Sequence, residues 1–163
     1  MACLLAVLAA GCAGYRVGPS NGTAAGSKSV EIRLFRDDTM EPRLLEAVGM
    51  ALRRRVQQDG TYRLSTAGEA DIIVTGAITG FDRAGVSFQP RDILTVRDFT
   101  LSMVAHVTAT ERSSGKVLLD RDVTGKSTIR VGADMASAER QAVPLLAEDL
   151  ARNTVSLLAD GTW

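Results

Sequence analysis

Three kinds of side chain in this sequence could do chemistry: a thiol, an imidazole and a pair of carboxylates. The thiol is that of Cys12, which follows a run of apolar and small residues, and the imidazole is that of His106, the single histidine. Asp120 and Asp122 lie two residues apart. Because alternate residues of a strand share a face, these two carboxylates could bind a cation together. A solvated strand face is the other interpretation of the pair.

An enzyme fits the rest of the sequence poorly. It contains no G-x-S-x-G, Walker, H-E-x-x-H or paired-cysteine motif. His106 lies far along the chain from any Cys or acid at metal-ligand spacing, so we interpret it as a surface or interface residue. We therefore expect no enzymatic activity, no metal and no cofactor. A hydrolase with a non-standard site would need a pocket that joins His106 to a carboxylate.

The N-terminal run, residues 1–11, is too short to span a bilayer, which needs about 20 apolar residues. It ends in the small residues Ala9-Ala10-Gly11 directly before Cys12, a pattern typical of a signal peptide and its cleavage site. The pattern resembles the lipobox of bacterial lipoproteins, in which the thiol takes a diacylglycerol and the new amine is acylated. The resemblance implies lipidation of Cys12. A buried hydrophobic strand or helix is the alternative interpretation of this run.

The composition favours one exported domain. The 19 Lys and Arg residues balance the 19 Asp and Glu residues, so no net field attracts nucleic acid and we expect no such partner. With Cys3 in the signal, Cys12 would be the only mature cysteine, and its acylation would leave no free thiol. We expect a signal peptide at residues 1–11, a lipidated tether at residues 12–29 and a single α+β domain at residues 30–163.

In the first half of that domain, alternating apolar and charged residues predict a strand over residues 30–35, with Leu34 on its buried side. We expect the following helix to begin near Met40 behind an N-cap at Thr39, and to end at Gly60 in the left-handed conformation. The apolar stripe of this helix comprises Leu45, Val48, Leu52 and Val56.

In the second half, β-branched residues predict a strand over residues 71–81. A long antiparallel hairpin follows, with strands at residues 97–111 and 117–128. The last helix begins at Asp134 and contains Pro144, which would kink or restart it. The predicted order β-α-β-β-β-α indicates a two-layer α+β sandwich, with two helices on one face of a mostly antiparallel sheet.

Two stretches leave their interpretation open. The run Arg53-Arg54-Arg55 is either a patch for lipid or phosphate or a solvated helix face. Residues 82–92 are predicted to be the least ordered, because they combine polar side chains with Gly and Pro. The apolar side chains in and beside this stretch form a docking edge or fold back on the core: Val86, Phe88 and Ile93.

The predicted hairpin has one apolar and one polar face. If both helices cover the apolar face, the polar face stays open, and it carries Thr100, Ser102, His106 and Thr108. The polar side chains of this face are compatible with contact to water. The face is also flat and rich in β-branched residues, so it could pack against the surface of another protein or bind a sugar-rich ligand. We therefore expect these four residues to contact a partner.

Two segments resemble the LptE family of lipopolysaccharide-assembly lipoproteins. The segment from Cys12 to Val17 is similar to the family's Cys-Gly-Tyr-x-Leu start, with one additional Ala. The segment from Phe35 to Leu44 is similar to the family's strand-to-helix passage, F-x-N-x-T-x-E-P-x-L, with Asp37 in place of Asn. The order of the predicted elements also agrees with the family, so the resemblance extends over essentially the whole mature chain.

The resemblance implies a non-enzymatic lipoprotein on the periplasmic side of the outer membrane, held there by acyl chains. Such a protein plugs a large lipopolysaccharide-export β-barrel one to one, helps it to assemble and assists delivery of lipopolysaccharide to the cell surface. The polar face suits this role because the lumen of a wide barrel is polar. Ala13, in place of an acid after the lipidated cysteine, favours the outer membrane.

Lipopolysaccharide is anionic, so exposed cations near strand ends are candidates to bind its sugar-phosphates. These candidates are Arg91, Lys116, Lys126 and Arg130. The alternative function is a lipid-anchored periplasmic binding module that regulates a cell-wall synthase. The short tether argues against this alternative, because such a module would have to reach across the periplasm.

Overall fold

The structure, a computed structural model, describes residues 24–41, 43–89, 92–130 and 134–161. The predicted signal peptide, most of the predicted tether, Cys12 and Arg91 lie outside these ranges. The elements, in chain order, are β1 (Ser29–Ile32), β2 (Arg36–Asp37), α1 (Leu44–Asp59), β3 (Arg63–Leu64), β4 (Ile72–Gln89), β5 (Asp92–Glu111), β6 (Val117–Arg130) and α2 (Met135–Asp160).

The strands form one open, mixed sheet in the order β3-β1-β4-β5-β6, with β2 also paired to β4. The three long strands β4, β5 and β6 are antiparallel, whereas the short strands β1, β2 and β3 pair in parallel. The predicted α+β class with two helices is therefore confirmed. The predicted order contained neither β2 nor β3, because two-residue strands carry no periodicity to detect.

The passage after β1 differs from the prediction. The strand ends at Ile32, and Leu34 is 75% exposed whereas Phe35 is 4% exposed. Phe35 takes the buried position because its ring lies against Gly76 of β4: a Cβ added to Gly76 would be 2.6 Å from Phe35 Cε2. The expectation that Leu34 lies on the buried side was therefore wrong, since the alternation of the strand does not continue beyond Ile32.

Helix α1 begins at Leu44, four residues later than predicted. Met40 and Arg43 have positive φ angles of 62° and 78°, which interrupt the helical backbone before that point. Thr39 is not the N-cap, because its hydroxyl and amide donate to the Asp37 carboxylate within a turn. The N-cap position is held by Arg43, without a side-chain hydrogen bond. The end of the helix is as predicted, with Gly60 at φ 74°.

Both helices bury an apolar stripe against one core. The α1 stripe is confirmed at Val48, Leu52 and Val56, although Leu44 is buried more deeply than Leu45. Helix α2 begins as predicted, because the Asp134 carboxylate accepts the backbone N–H groups of the next turn. The helix continues through Pro144, so the predicted restart does not occur. Its buried residues are Ala142, Leu146, Ala147, Leu150, Ala151, Thr154, Val155 and Leu158.

The β4–β5 hairpin is much longer than predicted. Residues 82–89, which composition marks as the least ordered, extend β4 and pair with the first part of β5. A register shift beside Gly80 lets the strand continue despite its polar and glycine-rich sequence. Val86 is 54% exposed and does not fold back on the core. The side chains of Phe88 and Ile93 lie outside the described residues.

Strand β5 shows the alternation on which the sandwich depends. Five alternate residues have no exposed surface at all: Leu101, Met103, Ala105, Val107 and Ala109. They share one core with the two helices. Helix α2 approaches β6 at Gly125, where an added Cβ would be 2.6 Å from the carbonyl oxygen of Leu146. The helices therefore cover one face of the sheet and leave the residues between these positions on the other.

Candidate functional site

The uncovered side of the β5–β6 hairpin is the candidate site, and we call it the open face. Thr100, Ser102 and Thr108 are partly exposed there and His106 is exposed, so the four predicted contact residues lie on one surface. Strand β6 contributes alternate polar residues to the same surface: Asp120, Asp122, Thr124, Lys126, Thr128 and Arg130. The cross-strand register places Lys126 beside Ser102 and Thr128 beside Thr100.

His106 forms a polar cluster at the centre of the open face. Its Nε2 lies 2.8 Å from Asp120 Oδ1, and its Nδ1 lies 2.9 Å from Asp122 Oδ1. Because an ionised carboxylate can only accept, both ring nitrogens must donate, which requires the imidazolium form. The hydrogen bond to Asp122 has the largest effect and raises the pKa of His106; desolvation opposes it, and the hydrogen bond to Asp120 adds a smaller increase. Sequence reasoning missed these contacts, because it judged His106 to be far from any acid.

The cluster is not arranged as a catalytic triad. In a triad one imidazole nitrogen faces a carboxylate and the other faces the nucleophile. Here both nitrogens of His106 face carboxylates, and the hydroxyl of Thr108 donates to Asp120 at 3.2 Å. The side chains of His106, Asp120 and Asp122 are each about half exposed or more, and they lie on the surface of the sheet. Within the described ranges, no group of three or more His, Cys, Asp or Glu side chains could hold a metal ion.

The predicted cations do not form one cluster. Lys116 lies beside the β5–β6 turn, whereas Arg130 pairs with Asp98 near the opposite end of the hairpin. At about 3.3 Å per strand residue, roughly 45 Å separates them. Lys126 lies between them and is exposed, and Arg130 Nε donates to Asp98 Oδ1 at 3.0 Å. Lys126 and Arg130 therefore share the open face, and Lys116 occupies a different end of the molecule.

The outer edge of β6 is partly closed by helix α2. The backbone N–H of Lys126 donates to Asp149 Oδ2 at 2.8 Å, and the Asn153 amide donates to the carbonyl of Thr124 at 2.8 Å. Unpaired backbone groups on an edge strand invite another strand to pair. Because α2 side chains occupy two of these groups, the middle of this edge is protected against pairing with another strand.

Arg83 is a structural residue that sequence reasoning missed. The register shift in β4 turns it toward the helices, where it donates to Glu139 and, at 2.9 Å, to Glu41. These hydrogen bonds, with that to Glu139 the stronger, raise the pKa of Arg83, and its guanidinium stacks 4.6 Å from the Phe81 ring centroid. The triad of charges ties the long hairpin to the start of both helices. The glycine at position 80 was the available signal for the shift.

Beside Arg83, a cavity of about 490 Å³ opens between the first turns of α1 and the first half of α2. Its apolar lining includes Met50, Phe81 and Val143.

No helix in the described part of the chain is long and apolar enough to cross a membrane.

The geometry defines a class: a two-layer α+β domain with two helices on one face of an open mixed sheet and a polar, accessible surface on the other. The chain belongs to the family described as LptE: Lipopolysaccharide-assembly, whose model matches residues 27–158. This is a family of non-catalytic lipoproteins, as the resemblance implied. Among curated proteins, none matches the sequence.

Solved structures share the fold at low sequence identity. Protein XCC0632 from Xanthomonas campestris, of family DUF330, aligns with a TM-score of 0.65 and 10% identity over 90% of this chain and 91% of that one. A protein from Caulobacter crescentus aligns with a TM-score of 0.51 and 13% identity over 77% of this chain and 87% of that one. A PelC dodecamer from Paraburkholderia phytofirmans aligns with a TM-score of 0.51 and 16% identity over 88% of this chain and 94% of that one.

Proposed function

We propose that this protein is a lipid-anchored plug of an outer-membrane β-barrel that exports lipopolysaccharide. In this proposal the signal peptide is removed before Cys12, and acyl chains on Cys12 hold the protein on the periplasmic side of the outer membrane. One copy occupies one barrel, helps the barrel to assemble and assists delivery of lipopolysaccharide to the cell surface. Membership of the LptE lipopolysaccharide-assembly family supports this class of function.

The observation that carries the plug proposal is the one-sidedness of the sheet. Both helices pack on one face, while the open face presents hydroxyls, the His106 cluster and two cations. A wide barrel has a polar lumen, so a flat polar surface can lie against its wall without leaving buried donors unpaired. We assign Thr100, Ser102, His106 and Thr108 to this contact. Because α2 closes part of the β6 edge, the contact takes place through the face rather than by strand addition.

The cations have a separate role in the proposal. Lys126 and Arg130 lie on the open face toward the end of the hairpin where β5 begins, and Arg91 lies in the sequence between β4 and β5. Together they would contact anionic sugar-phosphates, since guanidinium and ammonium groups form strong charge-assisted hydrogen bonds with phosphate. Lys116, at the opposite end, would meet a different part of the lipopolysaccharide. Their loss should reduce lipopolysaccharide binding without releasing the barrel.

The test is co-purification from detergent-solubilised outer membrane. We expect the wild-type protein to bring down a stoichiometric β-barrel, and the Cys12→Ala variant to lose its retention in the membrane. Ser102→Arg adds a long cation next to Lys126 on the open face and should abolish co-purification. Gln141→Arg adds the same charge to an exposed position of helix α2 and should leave it intact. Circular dichroism confirms that both variants remain folded.

Three outcomes would contradict the proposal. Recovery of a cell-wall enzyme in place of a barrel would support the alternative of a synthase-regulating binding module. Recovery of no partner would leave only the fold and the family. Loss of the barrel in Gln141→Arg together with its retention in Ser102→Arg would mean that the partner docks through the helices.

A further inference from the structure

A second, smaller pocket lies between the later halves of the two helices, away from the open face. It has a volume of about 180 Å³. Its lining comprises Ala51, Arg54, Arg55, Gln58, Glu148 and Arg152. The α1 residues are three or four apart and the α2 residues are four apart, so each set occupies one helix flank. We call it the arginine pocket, because three of its six lining residues are arginines.

The charge of the arginine pocket is unbalanced. Arg54 donates to Glu148 at 2.9 Å, and Arg152 donates to Asp149, which also accepts the backbone N–H of Lys126. Those two arginines are therefore matched by carboxylates. No carboxylate among the pocket-lining residues is left for Arg55, so the pocket carries excess positive charge.

Arg55 has an unsatisfied donor. Of the side-chain polar atoms in the described residues, its Nε is the one that is buried without a hydrogen-bond partner. A buried donor without an acceptor is costly, and such groups in native proteins require an explanation. The Nε edge of a guanidinium carries two parallel N–H donors, which match two oxygens of a phosphate. An oxyanion in this pocket would neutralise the excess charge, and an Arg55 side chain that turned its Nε edge toward the oxyanion would also satisfy the donor.

We propose that the arginine pocket binds a phosphate group, with Arg55 as its main ligand and Arg54, Arg152 and Gln58 as further donors. The pocket is large enough for a phosphate group and a few waters, because about 10–15 Å³ of such volume is enough to hold one water. The inference does not depend on the plug function. It uses the side of the molecule opposite the open face, so a protein docked through that face would still present the pocket.

The first experiment titrates inorganic phosphate into the purified full chain at constant ionic strength, with chloride as the balancing anion. Calorimetry measures the heat of binding, and thermal unfolding measures the melting temperature. We expect saturable binding and a rise in the melting temperature of the wild type. Arg55→Gln should weaken binding at least tenfold and remove the rise, because a ligand stabilises only a state that binds it. Arg36→Gln, which removes the same charge from an exposed strand position, should bind as the wild type does.

Several outcomes would overturn the proposal. They are the absence of phosphate binding by the wild type, unchanged binding by Arg55→Gln, or an equal loss in Arg36→Gln, which would indicate a diffuse charge effect. If Arg55→Gln does not fold, Arg54→Gln and Arg152→Gln give the same test, because both side chains are more than half exposed and contribute little to the core. Wild-type binding in these two variants would then refute the site.

A second arm identifies the source of the phosphate. Phosphatidylcholine vesicles that contain phosphatidic acid present the group on a lipid, and co-flotation measures recruitment. Recruitment that requires Arg55 would assign a lipid headgroup. Binding of inorganic phosphate without Arg55-dependent recruitment would assign a small soluble phosphate. Both of these results support the site. The site would be refuted if inorganic phosphate does not bind and the vesicles recruit the wild type and Arg55→Gln equally.

Discussion

The two faces of strand β5 differ completely although their residues alternate along one backbone. On the covered face, Leu101, Met103 and Ala105 have no exposed surface. On the open face, the intervening side chains are at least partly exposed and mostly polar, with Ser102 next to Met103 and His106 next to Ala105. The difference follows from the helices, which approach one side only, with α2 packed close against β6 at Gly125. Stability, and the recognition that we propose, thereby fall on different residues of the same strand.

This separation makes the faces experimentally distinguishable. Substitutions on the covered face remove packed volume and should change the free energy of unfolding. Substitutions on the open face remove little buried area, so they should change binding while leaving the fold intact. The comparison fails if residues of the open face contribute as much to stability as those of the core.

The largest effect is expected from Met103→Ala. Met103 is fully buried at the centre of the covered face, and truncation of such a side chain costs about 2–5 kcal/mol through lost transfer energy and the cavity left behind. Urea denaturation followed by circular dichroism measures the change in the free energy of unfolding. A change below about 1 kcal/mol would mean that the core can collapse around the truncation and is less tightly packed than the structure indicates.

A smaller loss is expected from Gly125→Ala. The new Cβ would lie 2.6 Å from the Leu146 carbonyl oxygen and 2.8 Å from Leu150 Cβ, so α2 must move away from β6. Overpacking of this kind costs about 1–3 kcal/mol. Gly80→Ala is the matched control, because its Cβ would be 3.8 Å from the nearest atom, an ordinary contact. Equal losses in the two variants would show that glycine flexibility, rather than helix approach, decides the result.

Much of this comparison could be predicted from the sequence. The strict alternation of β5 and the helical spacing around Val48 and Leu146 identify the buried faces, because periodicity directly reports which side of an element is apolar. The start of α1 could not be predicted, since the positive φ angles at Met40 and Arg43 break a pattern that otherwise favours helix. The length of β4 could not be predicted either, because cross-strand pairing overrides the weak local preference of residues 82–89 for irregular structure.

The candidate site was predicted in outline and missed in detail. The open face follows from alternation, but the His106 cluster depends on register. Counting outward from the turn at Ser114 pairs His106 with Asp122, so the signal was present in the sequence. For Arg83 the signal was weaker: Gly80 marks a place where the register can shift, but only the shift itself turns Arg83 toward the helices. Distances across strands, unlike faces, require the register to be known.

The third prediction concerns the pH dependence of the open face. The pKa of His106 is raised in the folded state by Asp122 and Asp120, above an ordinary value of about 6.5. Its stabilising contribution is therefore fully present below about pH 6.5 and is lost as the pH rises through the raised value. His106→Gln should thus lower the melting temperature at about pH 6 and have little effect at about pH 9. The shift should be smaller than that of either core variant, because the cluster is exposed to solvent.

Two measurements sharpen this result. Proton NMR titration of His106 should give a pKa above the ordinary value, and Asp122→Asn should lower it, because the stronger hydrogen bond then loses its charge. A pKa at or below the ordinary value in the wild type would show that the carboxylates do not hold the imidazolium.

The smallest effect is expected from Ser102→Ala. Ser102 is the sequence neighbour of Met103 but lies on the open face, and surface substitutions of this kind usually change stability by less than about 0.5 kcal/mol. The same urea experiment as for Met103→Ala measures it. A loss that approaches that of the core variant would mean that the open face is packed against something in the isolated protein. A result near zero allows any loss of barrel co-purification in Ser102→Arg to be assigned to docking.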